Sequence, residues 1–576
     1  LASRLPRFFA ELKRRKVYHV AVVYIAVGWA VITAAQFLLE ETLGQPRELW
    51  LVLAGLIVLG FPMALILAWA YEIRPEDPAP VEGKAGEAEP QREPLRTSDF
   101  TTDASVPDGE LKPSIAVLPF DDFSPDPADA YFANGMHEEV ITQLQKIQGL
   151  SVRGRTSVGV YRDAPQPLPE IAARLGVGYI LEGSARKAGD QVRLTAQLID
   201  ARKDEHLWAE NYDRPLSVES LFSVQSDIAQ QVASELRAVL TPEELRQVER
   251  RSTENLHAYE HFLRGRHLAH KYTQAGWTAG IEHFQKAMEL DPEFAQAYVG
   301  LAYCFKELAH LERIPPEEGY GRAAEALATA IELDDRLGEA HSILGSVKAI
   351  KDWDMEGAEP HFKRGLELDP QSAETHNQYA QYLSWNGRFD EGIELIDRAL
   401  ALEPLDPFLN MFGGVMCFYA RRHDESIARM KGLLELDPDH IWAHMYLTHN
   451  YALLGEVQEG LVHADRVETI SQSTGDRTFL AYLGSDYPGL GKPERTREIL
   501  AITLELYEEK TIDAVTVAVL FGVLGQHDEA LSWLERAVEE RSGIAVYIKN
   551  YGGTFLEGLS SDPRFERILE RVGFRS

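Results

Sequence analysis

A 34-residue period dominates the C-terminal half of the chain. Pro370, Pro404 and Pro438 stand 34 residues apart, in the related turns Glu367-Leu368-Asp369-Pro370, Leu402-Glu403-Pro404 and Glu435-Leu436-Asp437-Pro438. Glu289-Leu290-Asp291-Pro292 and Glu332-Leu333-Asp334-Asp335 repeat the theme upstream. Turn glycines keep the same beat: Gly387 to Gly455 is 68 residues, and Gly491 to Gly525 is 34. Between the turns, small and large residues recur at fixed offsets: Gly280, Phe284 and Ala287; Ala358 and Phe362; Gly392, Ile396 and Ala399. Small residues let two helices approach, and the large one fills the gap to the next pair. A unit this short cannot bury its own apolar face, so it must stack on copies of itself. That requirement excludes a single globular core for this half.

A 34-residue helix–turn–helix period is that of the tetratricopeptide repeat. Second helices are expected to start near residues 276, 319, 354, 388, 422, 456, 492 and 526, about eight repeats over 255–542. The longer interval from Pro292 to Asp335, 43 residues, marks an insertion around Ile314-Pro315-Pro316. Residues 543–576 read as a solvated terminal cap.

The N-terminus is built differently. Residues 17–39 and 49–71 contain no Asp, Glu, Lys or Arg. A helix needs about 20 apolar residues to cross a bilayer, and two such runs in tandem read as a transmembrane hairpin. Arg4, Arg7, Lys13, Arg14, Arg15 and Lys16 precede the first run, against Arg47 alone in the hairpin loop. The positive-inside rule then places both termini and all later domains in the cytoplasm. This describes a bacterial inner-membrane protein with two passes, meeting lipid through 17–71. Residues 75–113 are rich in proline and acidic residues and form an extended linker.

Between linker and repeats, residues 114–240 read as a small α/β domain. Ser-Ile-Ala-Val-Leu-Pro-Phe at 114–120 is a buried strand, and Met136, Val140, Leu144 and Ile147 share one helical stripe. Leu168–Leu175 is a short helix halted by Gly176. Two β runs, 179–187 and 191–201, meet at Ala188-Gly189-Asp190, a hairpin signal. Leu221, Val224, Ile228, Val232 and Leu236 line a long amphipathic helix. The fold class is therefore multidomain: a transmembrane helical hairpin, a small α/β domain and an all-α tetratricopeptide-repeat superhelix.

Four blocks in order carry a family resemblance: residues 114–120, Phe132-Ala133-Asn134-Gly135-Met136, Gly178-Tyr179-Ile180-Leu181-Glu182-Gly183-Ser184, and Val192-Arg193-Leu194-Thr195-Ala196-Gln197-Leu198. Together they resemble the TolB amino-terminal-like domain, related to FlgO- and CsgG-type proteins. The opening Phe8-Phe9-Ala10-Glu11-Leu12-Lys13-Arg14-Arg15-Lys16-Val17 resembles bacterial membrane proteins that join such a domain to tetratricopeptide repeats. The resemblance implies a signalling or envelope-associated role and no catalytic residues.

Chemistry is sparse. With 58 Lys and Arg against 90 Asp and Glu, the net charge is −32, which repels phosphate backbones and argues against nucleic-acid partners. No phosphate-binding Gly-x-x-x-x-Gly-Lys loop or Gly-x-Ser-x-Gly elbow occurs. His257/His261 and His440/His444 are i, i+4 pairs but lack a third ligand fixed by spacing. Cys304 and Cys417 lie in apolar helical stripes and read as buried, inert thiols. Asn134-Gly135, Gly178 and Gly183 would either line a small-ligand crevice or serve turn and strand geometry. No enzymatic activity, cofactor or metal is expected.

Two functions follow. The first is a membrane-tethered scaffold that binds apolar or amphipathic protein segments in the groove lined by the first helices of the repeats. With the prolines in register, that groove presents Asn377, Gln381, Phe408, Met411, Val415, Phe418, Trp442, Met445 and His449. The bland alternative is that the aromatic residues pack between repeats. The second function is a sensory or regulatory subunit of a cyclase- or transcription-linked signalling system, whose α/β domain binds a small molecule or nucleotide. Deleting residues 1–74 is expected to leave a soluble, helical protein. An aggregated fragment without helical circular dichroism would place the boundary elsewhere.

Overall fold

A computed structural model describes residues 112–162, 166–311 and 313–574. The apolar runs 17–39 and 49–71, and nearly all of the linker, lie outside these residues. Among the described residues no helix is long and apolar enough to cross a membrane.

The fold is a small mixed α/β domain followed by an all-α array of tetratricopeptide type. Strands β1 (Ser114–Val117), β3 (Ser151–Val152), β4 (Tyr179–Ala188), β5 (Gln191–Asp200) and β6 (Glu205–Pro215) lie in the order β3-β1-β4-β5-β6, and the two-residue β2 (Asp121–Asp122) pairs in parallel with β4 at Ser184 and Ala185. The β1 strand is parallel to β3 and β4, while β4, β5 and β6 form an antiparallel meander. Position explains composition here. The β1 segment Ile115–Val117 is buried, as a strand between two parallel neighbours must be. The outermost β6 is mostly exposed. Its Glu-His-Leu-Trp-Ala-Glu-Asn-Tyr-Asp-Arg-Pro run shows no clean alternation, so its pairing depends on β5 and not on its own pattern.

Helix α1 (Ala130–Gln145) packs on β1 and β4. Next come α2 (Arg155–Gly159), α3 (Leu168–Leu175) and α4 (Val218–Glu235), which packs on α1 and β6. Gly176 ends α3 with φ 63°, a left-handed conformation that glycine adopts at little cost. Ser217 caps α4 through the Ser220 amide. The connection to the repeats is α5 (Pro242–Glu249), opened by a full capping box between Thr241 and Glu244.

Sixteen helices then form eight antiparallel pairs: α6 (Leu256–Ala269) with α7 (Gln274–Leu290), α8 (Ala295–His310) with α9 (Pro316–Leu333), α10 (Gly338–Val347) with α11 (Met355–Leu368), α12 (Ala373–Trp385) with α13 (Phe389–Leu402), α14 (Pro407–Tyr419) with α15 (His423–Leu436), α16 (Ile441–Leu454) with α17 (Val457–Thr474), α18 (Thr478–Leu483) with α19 (Pro493–Glu508), and α20 (Ala514–Val523) with α21 (His527–Glu539). Two short helices, α22 (Ile548–Gly552) and α23 (Pro563–Arg571), follow.

The small and large positions work as interlocking parts. Phe284 is fully buried, with Gly265 of the preceding helix and Gly300 of the next repeat against its ring. A Cβ on Gly265 would stand 2.8 Å from that ring, and one on Gly300 2.5 Å. Phe362 and Gly345 repeat the arrangement at 3.0 Å. A second device recurs at the sixth residue past four of the turns. There Tyr298, His341, Asn410 and His444 donate a side-chain hydrogen bond to the carbonyls of Pro292, Asp335, Pro404 and Pro438, at 3.2, 3.0, 3.1 and 3.0 Å. Three kinds of side chain satisfy the same carbonyl; past Pro370 the equivalent His376 bonds the Ser372 carbonyl instead.

Apolar packing ignores the boundaries read from composition. One cluster of buried side chains runs from Ile115 in β1 through the α/β domain to Val347 in the third repeat. A second begins at Ala349 and ends at Phe574. They meet at a π-helical turn, Lys348–Asp352, after α10. The last segment is therefore not a solvated cap: Ala545, Val546, Ile548, Leu556, Leu559, Phe565, Ile568, Val572 and Phe574 are all buried.

Phe284→Ala is expected to cost about 3–5 kcal/mol. Because repeats couple mainly to their neighbours, hydrogen exchange should quicken in α6 to α8 more than in α19 to α21.

Candidate functional site: the cleft between the α/β domain and the repeats

The face of α1 that turns away from the sheet lies on α6, the first repeat helix. Gly135 makes this approach possible. A Cβ there would stand 2.9 Å from the Leu263 side chain, so Gly135 belongs to a helix crossing and not to a ligand crevice. Gly183 is closed in a similar way, by the Phe120 ring and the Thr195 carbonyl. Gly178 pairs with β1 through its amide to the Ser114 carbonyl, 3.1 Å. Asn134 bonds the Ala130 carbonyl and His267.

Beside the crossing sits a buried ion cluster. Glu138 receives Arg266 at 2.8 Å, His270 at 3.1 Å and Arg155, and Glu139 receives Arg266 at 2.6 Å. Burial alone would raise Glu138, but His270, Arg266 and Arg155 outweigh it and hold its carboxyl well below the usual range. The neighbouring His137 is pushed by burial down to about 4 and hydrogen-bonds the Val117 carbonyl of β1 at 2.9 Å.

The repeats also complete helix ends of the α/β domain. Glu403 accepts hydrogen bonds from the Thr156 and Ser157 amides at 3.0 and 2.7 Å, capping α2. The Gln371 amide donates to the Gln145 and Ile147 carbonyls at the end of α1, at 2.9 and 3.1 Å. These are groups a helix cannot satisfy internally, so the docking is specific in register.

Docking leaves a cleft of about 690 Å³ between the domain and the first four repeats. Its walls carry both signs of charge, but the arginines are already committed. Arg250 pairs with Asp334 at 2.8 Å, Arg336 with Glu243 at 3.5 Å and Arg251 with Glu254 at 3.2 Å. Lys146 is bound to the Gln143 side chain and the Gln247 carbonyl. Three carboxyls on the repeat side are pushed up: Glu339, which still reaches solvent, to about 7 by the desolvating cleft walls and by Asp369 and Glu374 nearby, Asp369 to about 6 by burial, and Glu403 to about 7 by burial against its two amide bonds. The cleft is thus a polar, enclosed space with protonatable walls at neutral pH. Spacing could not have revealed it, since its residues come from ten separate stretches of chain between Glu138 and Glu403.

The groove residues read from the repeat register are largely covered. Val415, Phe418, Met445, His449 and Asn377 are buried, Gln381, Met411 and Trp442 are half-buried, and Phe408 is exposed. Phe418 and His449 meet Phe555 of the C-terminal segment, with ring centroids 5.9 and 5.2 Å apart, and His449 is hydrogen-bonded to Asp486 at 2.7 Å. Trp442 packs against Phe479 and Tyr482 of the next repeat. Asn377 hydrogen-bonds Glu374 and Gln381. The groove is not an open surface: neighbouring repeats and the chain's own end occupy it, and Met445→Glu would bury a charge.

The histidine pairs also separate. His257 faces Glu260, while His261 meets His283 at 2.9 Å. His440 caps α16, and His444 bonds the Pro438 carbonyl and His463. Among the described residues no three His, Cys, Asp or Glu side chains form a metal-ligating group. Cys304 and Cys417 are buried. Burial pushes both thiols up, Cys417 to about 11.

The raised carboxyls carry a signed pH dependence. An acid raised in the folded state stabilises fully below its unfolded value, about 4.3 for glutamate, and that contribution is lost as pH rises through the folded value. For Glu339 the window closes near pH 7. Glu339→Gln is therefore expected to melt with the parent at pH 4 and above it at pH 8 in differential scanning calorimetry.

A profile for the HilA/YgeH-like transcriptional regulator, second domain, matches residues 111–231. A Rhizobium meliloti (strain 1021) protein named "Putative adenylate cyclase 3" is 34% identical over 280 residues, 49% of this chain and 42% of its own length. The chain thus spans less than half of that curated relative. Among solved structures, YrrB, described as a TPR protein with an unusual peptide-binding site, is 21% identical over 34% of this chain and 94% of its own, with a TM-score of 0.26. Pseudomonas aeruginosa PilF is 16% identical over 38% of this chain and 93% of its own, with a TM-score of 0.30.

Proposed function

We propose that the chain is a sensory or regulatory component of a signalling system with cyclase- or transcription-type output, held at the bacterial inner membrane by residues 17–71 with its folded domains in the cytoplasm. The cleft carries this reading. It is enclosed by the α/β domain on one side and the repeats on the other, so whatever small polar molecule enters it touches both. A ligand that binds the docked arrangement better than a loosened one shifts the balance between them, and it can do so only by that difference in affinity. The ion cluster at Glu138 is the contact such a shift would strain. The likeness of residues 111–231 to a transcriptional-regulator domain and the relative named as an adenylate cyclase support a regulatory role. The TolB-type resemblance agrees with the same role. The reading assigns the chain no reaction of its own.

An open scaffold groove has less support, because the chain's own C-terminal segment lies on Phe418 and His449.

Thermal-shift titration with cyclic AMP, ATP, GTP and spermidine tests the proposal. A ligand in this cleft present at 100 times its Kd is expected to stabilise the fold by about 2.7 kcal/mol, and substitution of Lys146 or Glu339 by alanine should change that response. If none of these probes shifts the wild-type chain and none alters hydrogen exchange in α1 or α6, the regulatory-cleft reading falls.

A further inference from the structure

The C-terminal segment crosses the inner face of repeats four to six in an ordered way. Tyr547, Tyr551 and Phe555 recur at four-residue steps, and their rings follow one another at 6.4 and 6.1 Å. Each ring meets a first helix of a successive repeat. Tyr547 lies edge-on to Trp385 of α12 at 6.0 Å, Tyr551 lies edge-on to Tyr419 of α14 at 6.3 Å, and Phe555 meets His449 of α16 at 5.2 Å. Trp385 and Tyr419 are 34 residues apart and so occupy equivalent places. Polar contacts fix the register: Lys549 donates to the Asn386 carbonyl at 3.1 Å, Asn550 to Ser384 at 3.3 Å, and Arg421 to the Gly553 carbonyl at 2.7 Å.

The four-residue step is that of a helix laid into a groove, whose anchors recur at three- to four-residue intervals, and here each anchor falls on a successive repeat. The fit also carries costs. The Asn550 side-chain oxygen is buried without a partner, an expensive state for a polar atom. Burial lowers Lys549, an effect that disfavours its charged form. A segment with a better-matched residue at either position would seat the same aromatic ladder without those penalties. Beyond Phe555 the chain changes role. Leu556 packs on Gly522 of α20, and Arg564 pairs with Asp528 of α21 at 2.8 Å, closing the last repeat.

We infer that residues 547–555 are a resident pseudo-ligand, and that the groove of repeats four to six recognises a helical partner segment with aromatic side chains at four-residue steps, admitted only when the chain's own segment is displaced. The tether gives the resident segment an effective concentration of order mM, so a weak intramolecular fit suffices to keep the groove closed. This inference does not depend on a ligand in the cleft at the α/β domain, which is lined by repeats one to four and shares only repeat four with this groove.

Two measurements on the full-length chain in detergent test it. Hydrogen exchange of the wild type is expected to show amides of 547–555 opening at least tenfold faster than those of α14 and α16. Equal protection would make the segment a fixed part of the core and overturn the proposal. The second uses a fluorescent peptide of residues 543–560 as the probe. It is expected to bind the Tyr551→Ala/Phe555→Ala variant about tenfold more tightly than the wild type, and adding Phe418→Ala should abolish that gain. A folded double variant that ignores the peptide overturns the proposal, and so does a double variant that loses its helical signal, since the segment would then be required for folding.

Discussion

A buried carboxylate organises this molecule. Glu138 sits on α1, inside the contact between the α/β domain and the first repeat, and a charge there must be paired. Arg155 comes from the domain itself, but Arg266 and His270 come from α6. The full set of partners is therefore assembled only when the first repeat is docked in one position. Breaking such a cluster by removing one partner typically costs about 3–5 kcal/mol. From that docking follow the helix crossing at Gly135, the capping of α2 by Glu403 and the enclosure of the cleft.

The consequence is a molecule with two large cores whose limits differ from its domains, and a small third cluster at Ala481, Leu506 and Ile512. The α/β domain shares its apolar interior with repeats one to three, and the remaining repeats share theirs with the C-terminal segment. The inner face of the repeat array, which an open superhelix would expose, is covered at one end by α1 and its neighbours and at the other by residues 547–555. Both coverings are polar as well as apolar: the first leaves raised carboxyls at Glu339 and Asp369, the second an unpartnered amide oxygen at Asn550. Each marks a place where the closed form is not perfectly satisfied.

The repeat histidines show how one side chain can be read two ways. His440 and His444 have the spacing of a metal pair, yet each is used by the local backbone. His444 Nε2 donates to the Pro438 carbonyl, which leaves Nδ1 to accept a hydrogen bond from His463. His463 is pushed by burial, and then by His444 and Lys431, down to about 4, so it is neutral near pH 7. The same turn is closed by Tyr298 and Asn410 elsewhere, neither of which binds metals in this manner. Comparing positions across repeats separates the structural role from the chemical one.

What the sequence determined by itself is local and periodic. The 34-residue period requires stacked helix pairs, because each pair is too small to bury its own face. Gly176, Gly189 and Ser217 mark ends that the backbone must make with glycine or a capping hydroxyl. The Ile115–Val117 run reads as a buried strand because it has no polar face. Tertiary structure decided what sits against the inner face of the stack. Strand β6 carries its charges at an exposed sheet edge, so its pattern lacks a signature. Residues 543–574 are rich in Tyr, Lys, Asn, Gly and charged residues and read as solvated, yet their apolar side chains are buried, because repeats four to six lie beneath 547–555 and the last repeat lies beneath the rest. Phe418, Met445 and His449 had the right register for a groove. Whether that groove was open depended on a segment more than 90 residues further along the chain, and no local rule carries information over that distance.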